Sequence, residues 1–242
     1  MTLRRNALAR RDETEQRGAG PVVSTRGTAS THGRLAVFAR SSTIHARAAM
    51  IDAGIAHVRD TVMPKMTHID GFVGLSLMVD RQTGKCIATS AWRTEQAMRA
   101  SADRDATIRD GAAEALGGTA EVEEWEVAVM HRAHHARPGT YMRATWGKTD
   151  PAHMDEAMDV FKFGTLSQIE DLPGFCSASA LVNRGDGRAV VTVAYDSPDA
   201  LDRSRQPGAA VRGDAARDAG LDVLDVAEFD LAVAHLHVPE IV

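Results

Sequence analysis

The stretch GFVGLSLMVDRQTGKCIATSAWRTEQAMRAS, from Gly71 to Ser101, returns without a gap as GFCSASALVNRGDGRAVVTVAYDSPDALDRS, from Gly174 to Ser204, an offset of 103 residues. About ten of the aligned pairs are identical, as a repeated unit requires. The offset holds upstream, where Phe38 meets Tyr141, Arg40 meets Arg143, Ile51 meets Met154 and Ile69 meets Leu172. Downstream, one inserted residue moves it to 104, and Val122–His131 then matches Val226–His235. A chain written this way is expected to fold as two similar units, over 34–132 and 138–242, joined by a linker at 133–137. Residues 1–33, rich in Arg, Thr, Ser and Gly and without apolar periodicity, are expected to be a disordered extension.

Each unit reads as β-α-β-β-α-β. The stretch RLAVFARS is strand-like, and Ile51, Ile55, Val58, Val62, Met66 and Ile69 then recur at helical spacing. The second unit repeats that stripe with Met154, Met158, Phe161, Thr165, Ile169 and Leu172. Two strands follow around RQTG, where Gly84 suits a left-handed turn position, and around RGDG in the second unit, closing on Gly187. Thr94 and Ser197 are candidate N-caps of a second helix, with Pro198 at its first position. RQPG (Arg205–Gly208) is expected to break that helix in the second unit. A last strand, Glu121–Met130, completes the first unit. The strands carry apolar residues on both faces, so both faces of each sheet need cover. Two sheets packed face to face, or wrapped into one barrel, would supply it.

Totals narrow the functional classes. The chain has 242 residues, a net charge of −5, and no run approaching the ~18 apolar residues of a membrane span. Neither a nucleic-acid partner nor a membrane is expected. The N-terminal arginine pairs are followed by no apolar segment, so a cytoplasmic protein is expected. Cys86 and Cys176 sit in apolar runs and read as small core residues rather than a disulfide.

GFVGLSLMVD, ATSAWRTEQAMRAS and their second-unit counterparts GFCSASALV and VTVAYDSPDALDRS resemble the dimeric α/β-barrel superfamily, specifically its antibiotic-biosynthesis-monooxygenase-like domains. In that superfamily two copies normally associate. The resemblance therefore implies an α+β fold: two tandem ferredoxin-like units whose antiparallel sheets pack as an intramolecular pseudo-dimeric barrel, with a further homodimer possible. It also implies cofactor-independent oxygenation of a small hydrophobic, aromatic molecule, quinol- or polyketide-like, in a cleft between sheet and helices. The alternative is a non-catalytic ligand-binding or scaffolding member. A haem-degrading enzyme of the superfamily would need Trp and His near Ser101 and Asp110, and neither position carries one.

Candidate site residues follow from asking which polar groups face such a cleft. Arg40 and Arg143 share a strand face with Phe38 and Tyr141, where a guanidinium suits an oxyanion; the alternative is a strand-end arginine reaching solvent. Trp92 and Tyr195 end equivalent strands, as packing or cleft residues. Asp105 lies on the inward stripe with Met98, Ser101 and Ile108 and is a candidate base, with Gly208 as its counterpart; the alternative is an N-cap after a helix break. Asp105, Arg40 and Trp92 are thus the catalytic candidates. Phe38, Met98, Ser101, Arg143, Tyr141 and Tyr195 are the substrate-binding candidates. His57 and His68 fall off the apolar stripe and are expected to face solvent. His235 and His237 share a strand face, but no acidic or Cys partner comes at a supporting spacing, so no metal is expected. No glycine-rich phosphate loop follows a strand, and no cofactor is expected.

Overall fold

The computed structural model describes residues 36–134 and 139–242. The 1–33 extension and most of the 133–137 linker lie outside the described residues. The first half runs β1 (Val37–His45), α1 (Ile51–His57), α2 (Met63–Met66), β2 (Phe72–Val79), β3 (Lys85–Trp92), α3 (Glu95–Ala100), α4 (Ala102–Leu116) and β4 (Ala120–Arg132). The second runs β5 (Tyr141–Lys148), α5 (Met154–Val160), α6 (Leu166–Glu170), β6 (Phe175–Asn183), β7 (Arg188–Tyr195), α7 (Pro198–Arg203), α8 (Arg205–Asp218) and β8 (Asp222–Leu236). The element order is the same in both, as the periodicity predicts. A widened π-turn joins α1 to α2 at Val58–Val62, and another joins α5 to α6 at the equivalent Phe161–Thr165.

Local signals account for the element ends. Thr94 Oγ1 accepts from Ala97 N at 3.0 Å and Ser197 Oγ from Ala200 N at 3.2 Å, each satisfying a free N–H of the first helical turn. Gly84 and Gly187 close the two hairpins at φ of 78° and 73°, where a side chain would be strained. The second helix breaks in both halves, but not at RQPG. The interruption falls at Ser101 and Ser204, and RQPG forms the first turn of α8. Pro207 is harmless there, because the first-turn N–H it lacks has no intrahelical acceptor.

The eight strands close into one antiparallel barrel in the order β1-β3-β2-β8-β5-β7-β6-β4. Each half contributes a four-stranded sheet whose two edges pair with the other half: β2 with β8, and β4 with β6. Closure removes every open strand edge. Strand alternation divides the core. One strand face looks outward to the helices, where Ile51, Val58, Val62, Met66, Leu77 and Trp92 pack in the first half and Met154, Phe161, Ile169, Phe175 and Tyr195 in the second. The other face looks into the barrel, where Ala39, Trp125 and Val127 form one cluster and Met78, Phe229 and Leu231 another. Among the described residues no helix is long and apolar enough to cross a membrane.

Candidate functional site

The sheet–helix space of the first half is nearly closed. Arg40, on β1, is 4% exposed and reaches across the sheet surface to the break between α3 and α4. Its Nη1 donates to Asp105 Oδ2 at 2.7 Å, its Nη2 to Met98 O at 2.9 Å and to Glu124 Oε1 at 2.7 Å. Burial opposes the positive charge, and the bonds to Glu124 and Asp105 more than offset it, so the guanidinium is held above its usual range. Rather than reaching solvent, Arg40 pins the helix break to the sheet and supplies a donor to an orphan carbonyl at the end of α3. Asp105 is buried in the same network and engaged by Arg40 rather than free beside apolar groups. Ser101 Oγ donates to Met98 O at 2.7 Å. Trp92 is fully buried, donates from Nε1 to Ser90 Oγ at 3.1 Å, and meets the Phe72 ring edge-on at 5.8 Å. It packs the core and does not line the remaining space, which amounts to about 30 Å³ between Arg40, Asp105, Ile44 and Ala112.

The second half keeps the arginine and changes its surroundings. Arg143 Nη2 donates to Glu228 Oε1 at 2.8 Å and to Leu201 O at 3.0 Å, and its Nη1 to Ser204 Oγ at 3.0 Å, repeating the pinning of the break. Gly208 stands in place of Asp105, and Arg143 Nη1 turns instead to Tyr195 Oη at 3.2 Å. A cleft of about 100 Å³ opens there, walled by Ala157, Phe161, Ile169, Val191, Val211 and Ala219. Paired positions explain the difference in volume. In the first half Leu116 lies over Gly54, so closely that a Cβ on Gly54 would sit 2.3 Å from its Cδ2. The second half has Ala219 and Ala157 at those positions, with Val211 for Ile108 and Ala178 for Leu75. Gly147 replaces Ile44, and Leu221 partly fills the space so released.

Charge differs as well. Glu228 is shared between Arg143 and Arg205, the latter at 2.7 Å. Burial raises its carboxyl pKa, but the bonds from Arg205 and Arg143 prevail and hold it below the usual range. Arg212, also on the cleft wall, makes no hydrogen bond or ion pair among the described residues. Burial, and then the nearby positive charge of Arg143, lower its pKa. In the first half its counterpart Arg109 has Asp105 at 3.9 Å and Asp110 at 3.6 Å. One lobe is therefore filled, with Arg109 in ion-pair range of two carboxylates; the other is hollow, and its Arg212 makes no ion pair among the described residues.

Of the substrate-binding candidates, Arg143 and Tyr195 line the second cleft. Phe38 packs against the first helix-side core, Met98 is sealed within it, and Tyr141 borders a separate surface depression with Glu228 and Asp230. The cleft expected between sheet and helices is open in the second half only: in the first it is closed down by Leu116, Ile44 and the Arg40–Asp105 pair. His68 is exposed as expected, whereas His57 is half-buried against α4, with its Nε2 4.0 Å from a Cβ placed on Gly111. Arg212 was not among the candidates. Its signal was the loss of the acid partner at Gly208, visible when the halves are aligned.

No protein-family model matches the chain. The crystal structure of an anthrone oxidase-like protein superposes with a TM-score of 0.61 at 13% identity, over 84% of this chain and 94% of the other. The two share their fold, here an eight-stranded α+β barrel closed within one chain. In sequence, the uncharacterized protein Rv2557 of Mycobacterium tuberculosis (strain H37Rv) is 52% identical over 206 residues, 85% of this chain and 92% of the relative. The uncharacterized protein Rv2558 of the same strain is 50% identical over 225 residues, 92% of this chain and 95% of the relative. At that identity, over nearly the full length of both relatives, the chain belongs to the protein family of Rv2557 and Rv2558.

Proposed function

We propose that the second sheet–helix cleft is the working site of a monooxygenase-like protein, and that it takes a small aromatic molecule with an acidic hydroxyl, quinol- or polyketide-like. One observation carries this reading: Arg212, which makes no hydrogen bond or ion pair among the described residues, borders an apolar cleft beside Tyr195 and Arg143. The walls suit a ring, and the guanidinium with the Tyr195 hydroxyl suits its ionised oxygen. In oxygenation without a cofactor the substrate itself supplies the electrons. An anthrone-type CH2 group and O2 become a carbonyl and water, by way of the substrate anion. Stabilising that anion is then the protein's main contribution, and fixed donors in a dry cleft do this better than water. The anthrone oxidase-like fold neighbour supports the choice of substrate class.

Oxygen uptake with anthrones and hydroquinones tests the reading. Arg212→Ala is expected to lower turnover by roughly tenfold or more, the order of one charge-assisted contact made to the ionised substrate. If Arg212→Ala is inert while Asp105→Asn, still folded, abolishes turnover, the reading fails and the first half holds the site.

A second reading, a binding module for the same ligand class, is favoured by a different observation. Neither a carboxylate nor an imidazole lines the second cleft, so no side chain there is suited to accept the substrate's proton. Saturable thermal stabilisation by hydroquinones with no oxygen uptake would support it.

A further inference from the structure

A space larger than either sheet–helix cleft lies elsewhere. It lies inside the barrel, about 320 Å³, bordered by all eight strands. Two of the chain's three tryptophans, Trp125 and Trp146, line it. Trp125 is fixed by its Nε1 bond to Ser41 Oγ at 2.8 Å, and Trp146 meets Phe229 edge-on at 6.3 Å. Four lining hydroxyls, on Thr43, Ser76, Thr89 and Ser177, make no hydrogen bond among the described residues. Indole faces beside unengaged hydroxyls are what a planar, partly polar guest requires.

One end of this space carries a charge that is only partly satisfied. Arg132, at the end of β4, lines the cavity and donates from Nη1 to Val238 O at 2.8 Å. Its Nη2 is buried and has no partner. The nearest carboxylate, on Glu240, is 4.0 Å from Nη1 and is engaged by His131 Nδ1 at 2.6 Å. A buried charged donor left unmet is costly, and a bound acceptor would relieve that cost. The segment 237–242 leaves β8 and crosses this end of the barrel, where Ile241 and Met130 exchange backbone bonds at 2.8 Å each way. It lies over the Arg132 end, where Glu240 comes no nearer than 4.0 Å to Nη1 and Nη2 is left without a hydrogen-bond partner.

We propose that the barrel interior is a second ligand site, distinct from the sheet–helix cleft, for a small planar aromatic carboxylate whose ring lies against Trp125 and Trp146 and whose acid group meets Arg132. Nothing in this assignment depends on the reading of the cleft.

The full chain is titrated with 4-nitrobenzoate, a non-fluorescent aromatic carboxylate that quenches tryptophan on contact, and in parallel with neutral nitrobenzene. Because no tryptophan lines the second cleft, saturable quenching that persists in Trp92→Phe reports the barrel interior. The expected result is saturable quenching by 4-nitrobenzoate, retained in Gly208→Asp, which alters the cleft, and lost in Ser177→Leu, which fills the barrel. Arg132→Gln is expected to weaken 4-nitrobenzoate roughly tenfold and leave nitrobenzene unchanged, because only the carboxylate uses the guanidinium. Should Ser177→Leu fail to fold, the Arg132→Gln pair decides. The proposal is overturned by absence of saturable quenching, by equal affinity for the two compounds in the wild type, or by loss of quenching in Gly208→Asp alone.

Discussion

Arg40 and Arg143 occupy equivalent strand positions, and their contrasting neighbours decide what each half can do. Both guanidinia cap the carbonyl end of a short helix, at Met98 and Leu201, and both bind a glutamate from the following strand, Glu124 or Glu228. Arg40 is then fully engaged by Asp105, Glu124 and the Met98 carbonyl, a network that ties the helix break to the sheet. Removing Asp105 leaves the buried guanidinium with Glu124 alone and Nη1 short of its best acceptor, so Asp105→Ala is expected to destabilise the fold by about 1–3 kcal/mol, read as a fall in the urea midpoint. An unchanged midpoint would show the pair to be dispensable. The shared strand face of Arg40, Phe38, Arg143 and Tyr141 was legible in the sequence, because strand alternation has a period of two. The loss of an acid opposite Arg212, at Gly208, was legible by aligning the halves; that Arg40 would be sealed was not, since its acid partners Asp105 and Glu124 lie more than sixty positions away along the chain.

At the scale of elements, α4 and α8 show how the same scaffold is filled or hollowed. Each follows a capped short helix and a break, and each lies across its sheet. Leu116 in α4 reaches the surface of α1 at Gly54, where a side chain at residue 54 would collide with it. Ala219, just past α8, leaves that path short. Ala219→Leu is therefore expected to fill the second cleft, raise stability by about 1 kcal/mol, and abolish stabilisation by any cleft ligand, all read by thermal shift. Stabilisation without loss of ligand response would place the ligand elsewhere. The caps at Thr94 and Ser197 and the turns at Gly84 and Gly187 were legible because each is settled within four residues. The helix break was misplaced onto RQPG because proline is disruptive inside a helix but not in its first turn. Position relative to the break, which Arg143 and Ser204 help to set, decided the matter.

The whole molecule is one closed barrel in which each half supplies the strands that its partner's edges need. A half alone would expose both seam edges, the β2 and β4 sides for the first half. Residues 34–134 expressed separately are expected to self-associate through equivalent seams, β2 against β4 of a second copy, giving a dimer by sedimentation. A stable folded monomer would show that the seams are not required for the fold. What the sequence by itself determined was the repeated order of elements, the helix-facing stripes and the local caps and turns, because periodicity and capping act between neighbours along the chain. Only the tertiary structure decided which cleft stayed open, which arginine was neutralised, and that the barrel interior kept space around two tryptophans. Those outcomes are differences between volumes and charges assembled from distant segments, and no short stretch of sequence contains them.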